Sequence, residues 1–302
     1  RGGHAVQVTI IGSGSPRWST ERSAPSVLVE HEGRYLLVDC GDGTVQQLLR
    51  LGVAPQQVTA VLFTHLHADH ALGFGQLLIG GWIHGRRELF VAGPPGTARH
   101  YRTYCEVLFP EDIEYRIALG RSRRGLLEDV VVQELPLQLP TPFAVGPFEV
   151  RYQEVPHSIV TVAYRISAGP GDDLVISGDT AYSPKLAEFS QDTSLLIHEA
   201  VLVPSAAHAP GLRRADDSTW DSLRPHHSTA QEAGNIAQRA RSKGLVLTHL
   251  LPGADLVRAH LDAQAEYRGP VWMAEDLRQW RFVGGQAIGP IRGRSGGPRA
   301  GT

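Results

Sequence analysis

Three histidines and one aspartate fall within six consecutive positions in the run Thr64, His65, Leu66, His67, Ala68, Asp69, His70. Imidazoles and a carboxylate crowded this closely are chemically costly unless metal ions bind them. The residues just before, Ala60 to Phe63, are an apolar run of strand length. The cluster therefore sits on the loop leaving a buried strand, where a scaffold can hold it rigidly. The spacing reads as a two-metal hydrolase motif, against the blander alternative of a solvated or core histidine cluster.

Two divalent ions need more donors than one loop supplies, so further partners should lie at other strand ends. Three candidates follow apolar runs: His157 after Phe148 to Val155, Asp179 after Leu174 to Ser177 in a Ser-Gly-Asp-Thr turn, and His249 after Leu245 to Leu247. A single histidine at a strand end is more often a hydrogen-bonded structural residue. Four strands ending in ligand-type residues form a pattern. Two more motifs stand out: His198, Glu199 and Ala200 after the apolar Leu195 to Ile197, and His227, Ser228 and Thr229 opening a helix. Ser228 and Thr229 read equally as helix caps, since Gln231 and Glu232 lie three residues on as capping-box partners. Capping and function are compatible, because a helix N-terminus also offers free backbone N–H groups to an anionic oxygen.

Apolar patterning predicts strands near Val6 to Ile11, Ser26 to Glu30, Tyr35 to Val38, Leu89 to Ala92, Val130 to Glu134, Thr161 to Ser167 and Leu245 to Thr248, besides the runs above. Helices are predicted near Thr44 to Leu51, Thr97 to Leu108 and Ser228 to Arg241, the last stopping before Gly244. This order fits an α/β (α+β) chain with two sheets face to face and helices outside. Ligands spread over both halves must converge, so residues 1–283 are expected as one domain. The Gly-rich segment 284–302, with Pro290 and Pro298, is expected as a tail without a core-forming pattern.

Over about residues 6 to 283 these motifs resemble the metallo-β-lactamase superfamily, and within it the ribonuclease Z and arylsulfatase branch of binuclear zinc hydrolases. The resemblance implies a four-layer αββα sandwich. It also implies that His65, His67 and His157 hold one ion, that Asp69, His70 and His249 hold the other, and that Asp179 bridges them. Asp39 matches the superfamily's structural aspartate and would orient ligands from behind. Two Zn2+ ions are the implied cofactor, although Mn2+ or Fe would accept the same donors. A hydroxide bridging the ions would be the nucleophile. Asp69 would orient it or act as base, and His227 would contact a substrate oxyanion or protonate the leaving group. His198 and Glu199 would form a relay orienting His227, with Ser228 and Thr229 near the substrate anion. A ribonuclease Z-like phosphodiesterase is the expected function, with arylsulfatase next. A lactonase or other carboxylic-ester hydrolase is third, with Trp82 and Trp220 as apolar walls. A redox enzyme or a metal-stabilised binding module stands outside the hydrolases.

The chain departs from the tRNA-processing members of that branch. Those usually carry a long arm between the third metal histidine and the bridging aspartate, whereas only residues 158–178 lie there, enough for a hairpin through Ala168 to Asp172. Between Glu199 and His227 the chain is long instead. Its run Ala206 to Arg224, with Pro210, Gly211, Arg213, Arg214 and Trp220, reads as a rim loop, either a lid or a dimer contact, or as a surface insertion without a role. A homodimer is the expected assembly. The 29 Lys plus Arg against 31 Asp plus Glu give a net charge of −2, which weakens the case for RNA as partner. Local exceptions are Arg121, Arg123 and Arg124, and Arg292, Arg294 and Arg299. Cys40 and Cys105 are too few for a disulfide scaffold or thiolate zinc site. No apolar stretch reaches membrane-spanning length. A cytoplasmic protein is the default expectation, with an upstream export signal left open.

Overall fold

The central strands are apolar on both faces, so each needs cover on both sides. The structure, a computed structural model, describes residues 5–169, 171–203 and 217–292. In chain order the strands are β1 (Gln7–Gly12), β2 (Ser26–His31), β3 (Arg34–Val38), β4 (Val58–Leu62), β5 (Leu89–Gly93), β6 (Val130–Glu134), β7 (Phe143–Val145), β8 (Phe148–Val155), β9 (Thr161–Ser167), β10 (Asp173–Ile176), β11 (Leu195–Glu199), β12 (Leu245–Thr248), β13 (Val271–Met273), β14 (Arg278–Val283) and β15 (Gln286–Arg292). The helices are α1 (Thr44–Leu51), α2 (Ala68–Ala71), α3 (Phe74–Ile83), α4 (Thr97–Arg102), α5 (Pro110–Ala118), α6 (Pro184–Phe189), α7 (Asp217–Leu223), α8 (Ala230–Ala240) and α9 (Leu256–Glu266).

An eight-stranded sheet runs β15-β14-β1-β2-β3-β4-β5-β6, and a seven-stranded sheet runs β13-β12-β11-β10-β9-β8-β7. Each is antiparallel in one part and parallel in the other, with β3 to β6 parallel in the first and β10 to β13 in the second. Alternation along the strands sorts their side chains into layers. Val8, Ile10, Leu36, Leu62, Leu174, Ile176 and Ile197 meet between the sheets. Leu28, Leu37, Val61 and Phe63 face outward onto α1 and α3. Val175, Leu196, Leu245 and Leu247 face α6, α8 and α9. Three apolar layers separating four structural layers make the αββα sandwich. Both cysteines are buried and unpaired. No helix among the described residues is long and apolar enough to cross a membrane.

Three local differences from the sequence reading have physical causes. Residues expected to be a patternless tail contain β15, because Gly284 and Gly285 both take positive φ (59° and 74°) and turn the chain back beside β14. The helix expected over Thr97 to Leu108 is α only to Arg102 and continues as a π-helical turn to Leu108. Helix α3 carries little amphipathic pattern to read, since its sequence FGQLLIGGWI is apolar nearly all round.

Candidate metal centre

Every metal-type residue lies just past a strand end. The loop after β4 carries His65, His67, Asp69 and His70, while His157, Asp179 and His249 follow β8, β10 and β12. Asp39, following β3, braces the first loop: its carboxylate accepts from Thr64 N and Thr64 Oγ1, both at 2.7 Å, and faces His70 Nδ1 at 2.8 Å. The loop packs against the turn after Asp39 because Gly41 has no side chain; a Cβ there would lie 2.2 Å from the Asp69 carbonyl oxygen.

Bonds on the far side of each ring decide which nitrogen faces the centre. Thr64 Oγ1 gives its proton to Asp39, so it accepts from His65 Nδ1 at 3.0 Å, and His65 Nε2 is a lone pair. His157 Nδ1 donates to the His226 carbonyl at 2.8 Å, so its Nε2 is a lone pair as well. Those two atoms lie 3.1 and 3.2 Å from His67 Nδ1. One proton cannot satisfy three converging nitrogens, whereas a cation that accepts lone pairs can, so these residues fit a divalent metal. Opposite them, His249 Nε2 lies 3.1 Å from His70 Nε2 and 3.2 Å from Asp69 Oδ2. Asp179 stands between, 3.3 Å from His249, 3.4 Å from His70, 3.8 Å from His65 and 3.9 Å from His157. The donor atoms of His65, His67, His157 and Asp179 lie within 4.8 Å of one another, as do those of Asp69, His70 and His249.

The electrostatics differ between the two donor groups: His65, His67 and His157 are pushed toward the neutral form, His70 and His249 toward the charged one. Burial opposes charging of His70, yet Asp179 and Asp39 hold its pKa well above the ordinary histidine value. Burial and the neighbouring His70 push His65 well below it. Burial would raise the Asp179 carboxyl, but His249, His70 and His65 hold it well below the usual carboxylate range. Beside the donors, His227 Nδ1 meets Glu199 Oε1 at 2.8 Å, and its ring stands edge-on to His157 with centroids 5.0 Å apart. Glu199 is buried and also accepts from Thr180 N and Val201 N, each at 2.9 Å. Burial opposes charge on His227, but the Glu199 hydrogen bond and charge raise its pKa.

Similarity to known proteins agrees with this geometry. A ribonuclease Z of Mycobacterium marinum is 30% identical over 296 residues, spanning 91% of this chain and 98% of its own. A ribonuclease Z of a Mycobacterium species (strain KMS) is 32% identical over 252 residues, spanning 82% and 85%. The family described as Anti-Pycsar protein Apyc1 matches residues 6–212. The chain belongs to the metallo-β-lactamase superfamily, in its ribonuclease Z-like branch and the Apyc1 family. Among solved structures, human tRNase Z, short form, superposes with a TM-score of 0.63 at 26% identity, covering 90% of this chain and 98% of that one. The metallo-β-lactamase fold protein YhfI from Bacillus subtilis superposes with a TM-score of 0.70 at 24% identity, covering 92% and 100%. The protein is a metal-dependent hydrolase acting on ester bonds.

Within this ribonuclease Z-like centre, some expected residues have other partners. His198 does not meet His227: strand alternation turns Glu199 toward the centre and His198 toward the α8 side, where its Nδ1 faces the Glu199 carbonyl at 2.7 Å. Of the residues expected in a relay, Glu199 pairs with His227 and His198 does not. Ser228 is fully buried and donates to the Thr180 carbonyl at 2.7 Å. Thr229 is the N-cap of α8 in a capping box with Glu232. Both hydroxyls are engaged within the scaffold, Ser228 by the Thr180 carbonyl and Thr229 by Glu232, where they were expected near a substrate anion. Trp82 is no pocket wall, being buried with its indole N–H on the Ser122 carbonyl. Of the expected rim loop, Trp220 lies on α7, while Pro210, Gly211, Arg213 and Arg214 fall outside the described residues. Sequence reasoning missed the His226 carbonyl, since a backbone acceptor leaves no trace in residue type.

Proposed function

We propose that this chain is a binuclear zinc phosphodiesterase that engages its substrate at the metal centre itself. The observation that carries the reading is the pairing of two facing donor groups, shared across Asp179, with a buried Glu199 carboxylate aiming His227 at their edge. Two bound zinc ions would supply a water of lowered pKa and positive charge for the ester's anionic oxygen. Asp69 Oδ2 lies 3.2 Å from His249 Nε2, and although burial would raise its carboxyl, the neighbouring His249 and His70 lower it. It therefore stays anionic to orient the attacking water and take its proton. As the water oxygen bonds to phosphorus, the ester oxygen leaves with the proton that His227 carries. Glu199 keeps that imidazolium charged and pointed.

The segment between His157 and Asp179 is the tight β9–β10 hairpin, which supports a site without the tRNA-gripping arm. Arg123 and Arg124 are paired with Glu128 and Asp129 at the surface, which offers little to an RNA backbone. The test is kcat/KM of the zinc-loaded protein on an aryl phosphodiester and the matching aryl sulfate, with Asp69→Ala as control. Preference for the diester, lost in the variant, is expected. Preference for the sulfate would replace this reading with an arylsulfatase, and inactivity on both would remove it.

A further inference from the structure

His249 differs from the other ligand-type histidines in what aims it. The far nitrogens of His65, His70 and His157 face Thr64, Asp39 and the His226 carbonyl, and His67 Nε2 faces Ser158 Oγ at 3.4 Å. His249 Nδ1 is buried without a hydrogen-bond partner among the described residues. No bond behind the ring aims it; it stacks on His70 and otherwise follows its backbone, which is left-handed, with φ 59°. A residue with a Cβ holds such a conformation only where its surroundings over-determine it.

The restraint before His249 is β12 itself, whose Thr248 carbonyl accepts from Ala200 N at 2.9 Å. The restraint directly after it is the bond from Leu250 N to the Ser13 carbonyl at 3.0 Å. Ser13 is pinned in turn. Its N and Oγ both donate to Asp276 Oδ1, at 2.9 and 2.7 Å. Arg22 Nη1 donates to Ser13 Oγ at 2.7 Å and to the Ala274 carbonyl at 2.6 Å. The other Asp276 oxygen accepts from Ser23 N at 2.7 Å and Gln47 Nε2 at 2.6 Å. One carboxylate thus ties together the turn after β1, the approach to β2, helix α1 and the approach to β14.

We infer that Asp276 is a positioning residue for the metal centre: acting through Ser13, it holds the left-handed backbone at His249 so that His249 Nε2 meets Asp69, His70 and Asp179. The inference rests on the reading of His249 as a metal ligand. It assigns to the second sheet's ligand a carboxylate brace comparable to Asp39 behind the first loop, reached through the main chain instead of the ring.

The test is titration of metal-free protein with Zn2+ against a chromophoric chelator, for the wild type, His249→Ala, Asp276→Asn and Gln47→Ala, with thermal unfolding of each metal-free protein alongside. The wild type is expected to show two binding events and His249→Ala to lose one. Asp276→Asn, whose amide cannot accept from all four donors, is expected to weaken that same event about tenfold or more and leave the other unchanged. Gln47→Ala removes a contact to Asp276 but not those to Ser13, so it should lower the unfolding temperature with both affinities intact. Should Asp276→Asn fail to fold, Ser13→Ala carries the test, with a smaller loss expected at the same event. Loss of one event in His249→Ala with unchanged affinities in Asp276→Asn, or in Ser13→Ala where that variant carries the test, would overturn the brace alone. Two intact events in His249→Ala would overturn both the brace and the ligand assignment beneath it.

Discussion

The two halves of the metal centre are built differently. One half comes from a single loop after β4, with His65, His67, Asp69 and His70 inside six positions, and the other from three separate strand ends carrying His157, Asp179 and His249. A contiguous set can share a brace, and the Asp39 carboxylate meets both Thr64 and His70 at the two ends of the segment. A dispersed set needs one brace per ligand. His157 has the His226 carbonyl, and the chain after Asp179 is held where the Thr180 N–H donates to Glu199 and the Thr180 carbonyl accepts from Ser228 Oγ. The chain after His249 is held by Ser13. Damage to the first half should therefore spread through it, while damage to the second should stay local.

The largest effect should come from Asp179, which faces histidines of both donor groups. Asp179→Ala is expected to lose metal as well as turnover, beyond the roughly 10²–10³ that a single lost electrostatic contact costs in kcat. Metal analysis by mass spectrometry checks it, and unchanged content would show that the two donor groups do not share this carboxylate. Asp39→Ala should follow. It leaves the Thr64 N–H and hydroxyl and the His70 ring without their buried acceptor, at about 1–3 kcal/mol for each orphaned group. Metal affinity should fall about 10–100-fold. Chemical denaturation and metal titration on one preparation would show whether the whole first loop loosens at once.

The same contrast decided what could be read beforehand. The first half was legible because its donors are adjacent in sequence and follow an apolar strand. The layering was legible too, because apolar runs such as Leu174 to Ile176 are buried on both faces, as a two-sheet sandwich requires. The limits lay where direction or main chain matters. Residue type marks His198 and Glu199 alike, and only strand alternation separates the one facing the centre from the one behind it. Ser228 and Thr229 carried two compatible meanings, and residue type alone does not show that their hydroxyls meet the Thr180 carbonyl and Glu232. Asp276 gave no signal, since its partners Ser13, Ser23 and Gln47 lie more than two hundred residues away.

A smaller effect, on pH dependence, is expected at Glu199. Burial works against charge on His227, and Glu199 reverses this to leave its pKa raised. If His227 is the proton donor proposed above, it sets the limb on which kcat/KM falls with rising pH. Glu199→Gln keeps a polar partner but removes the negative charge, so that limb should move to lower pH with metal content unchanged. A pH–rate profile of wild type and variant checks the direction, and a stationary alkaline limb would assign the acid to another group.

The smallest effect on chemistry is expected at Thr229, and it sharpens the comparison because the residue sits beside the centre yet belongs to the scaffold. Thr229 Oγ1 accepts from Glu232 N at 3.1 Å, while Glu232 Oε2 accepts from Thr229 N at 2.8 Å, so both side chains are engaged in starting α8. Thr229→Ala should cost about 1 kcal/mol of stability, the usual worth of an N-cap, and leave kcat/KM on the diester nearly unchanged. Thermal unfolding and steady-state kinetics on the same preparation separate the two readouts. A turnover loss of about 10² with little change in stability would match a lost transition-state donor. It would return the hydroxyl to the substrate anion and give the second half of the centre a contact beyond its metal-type residues.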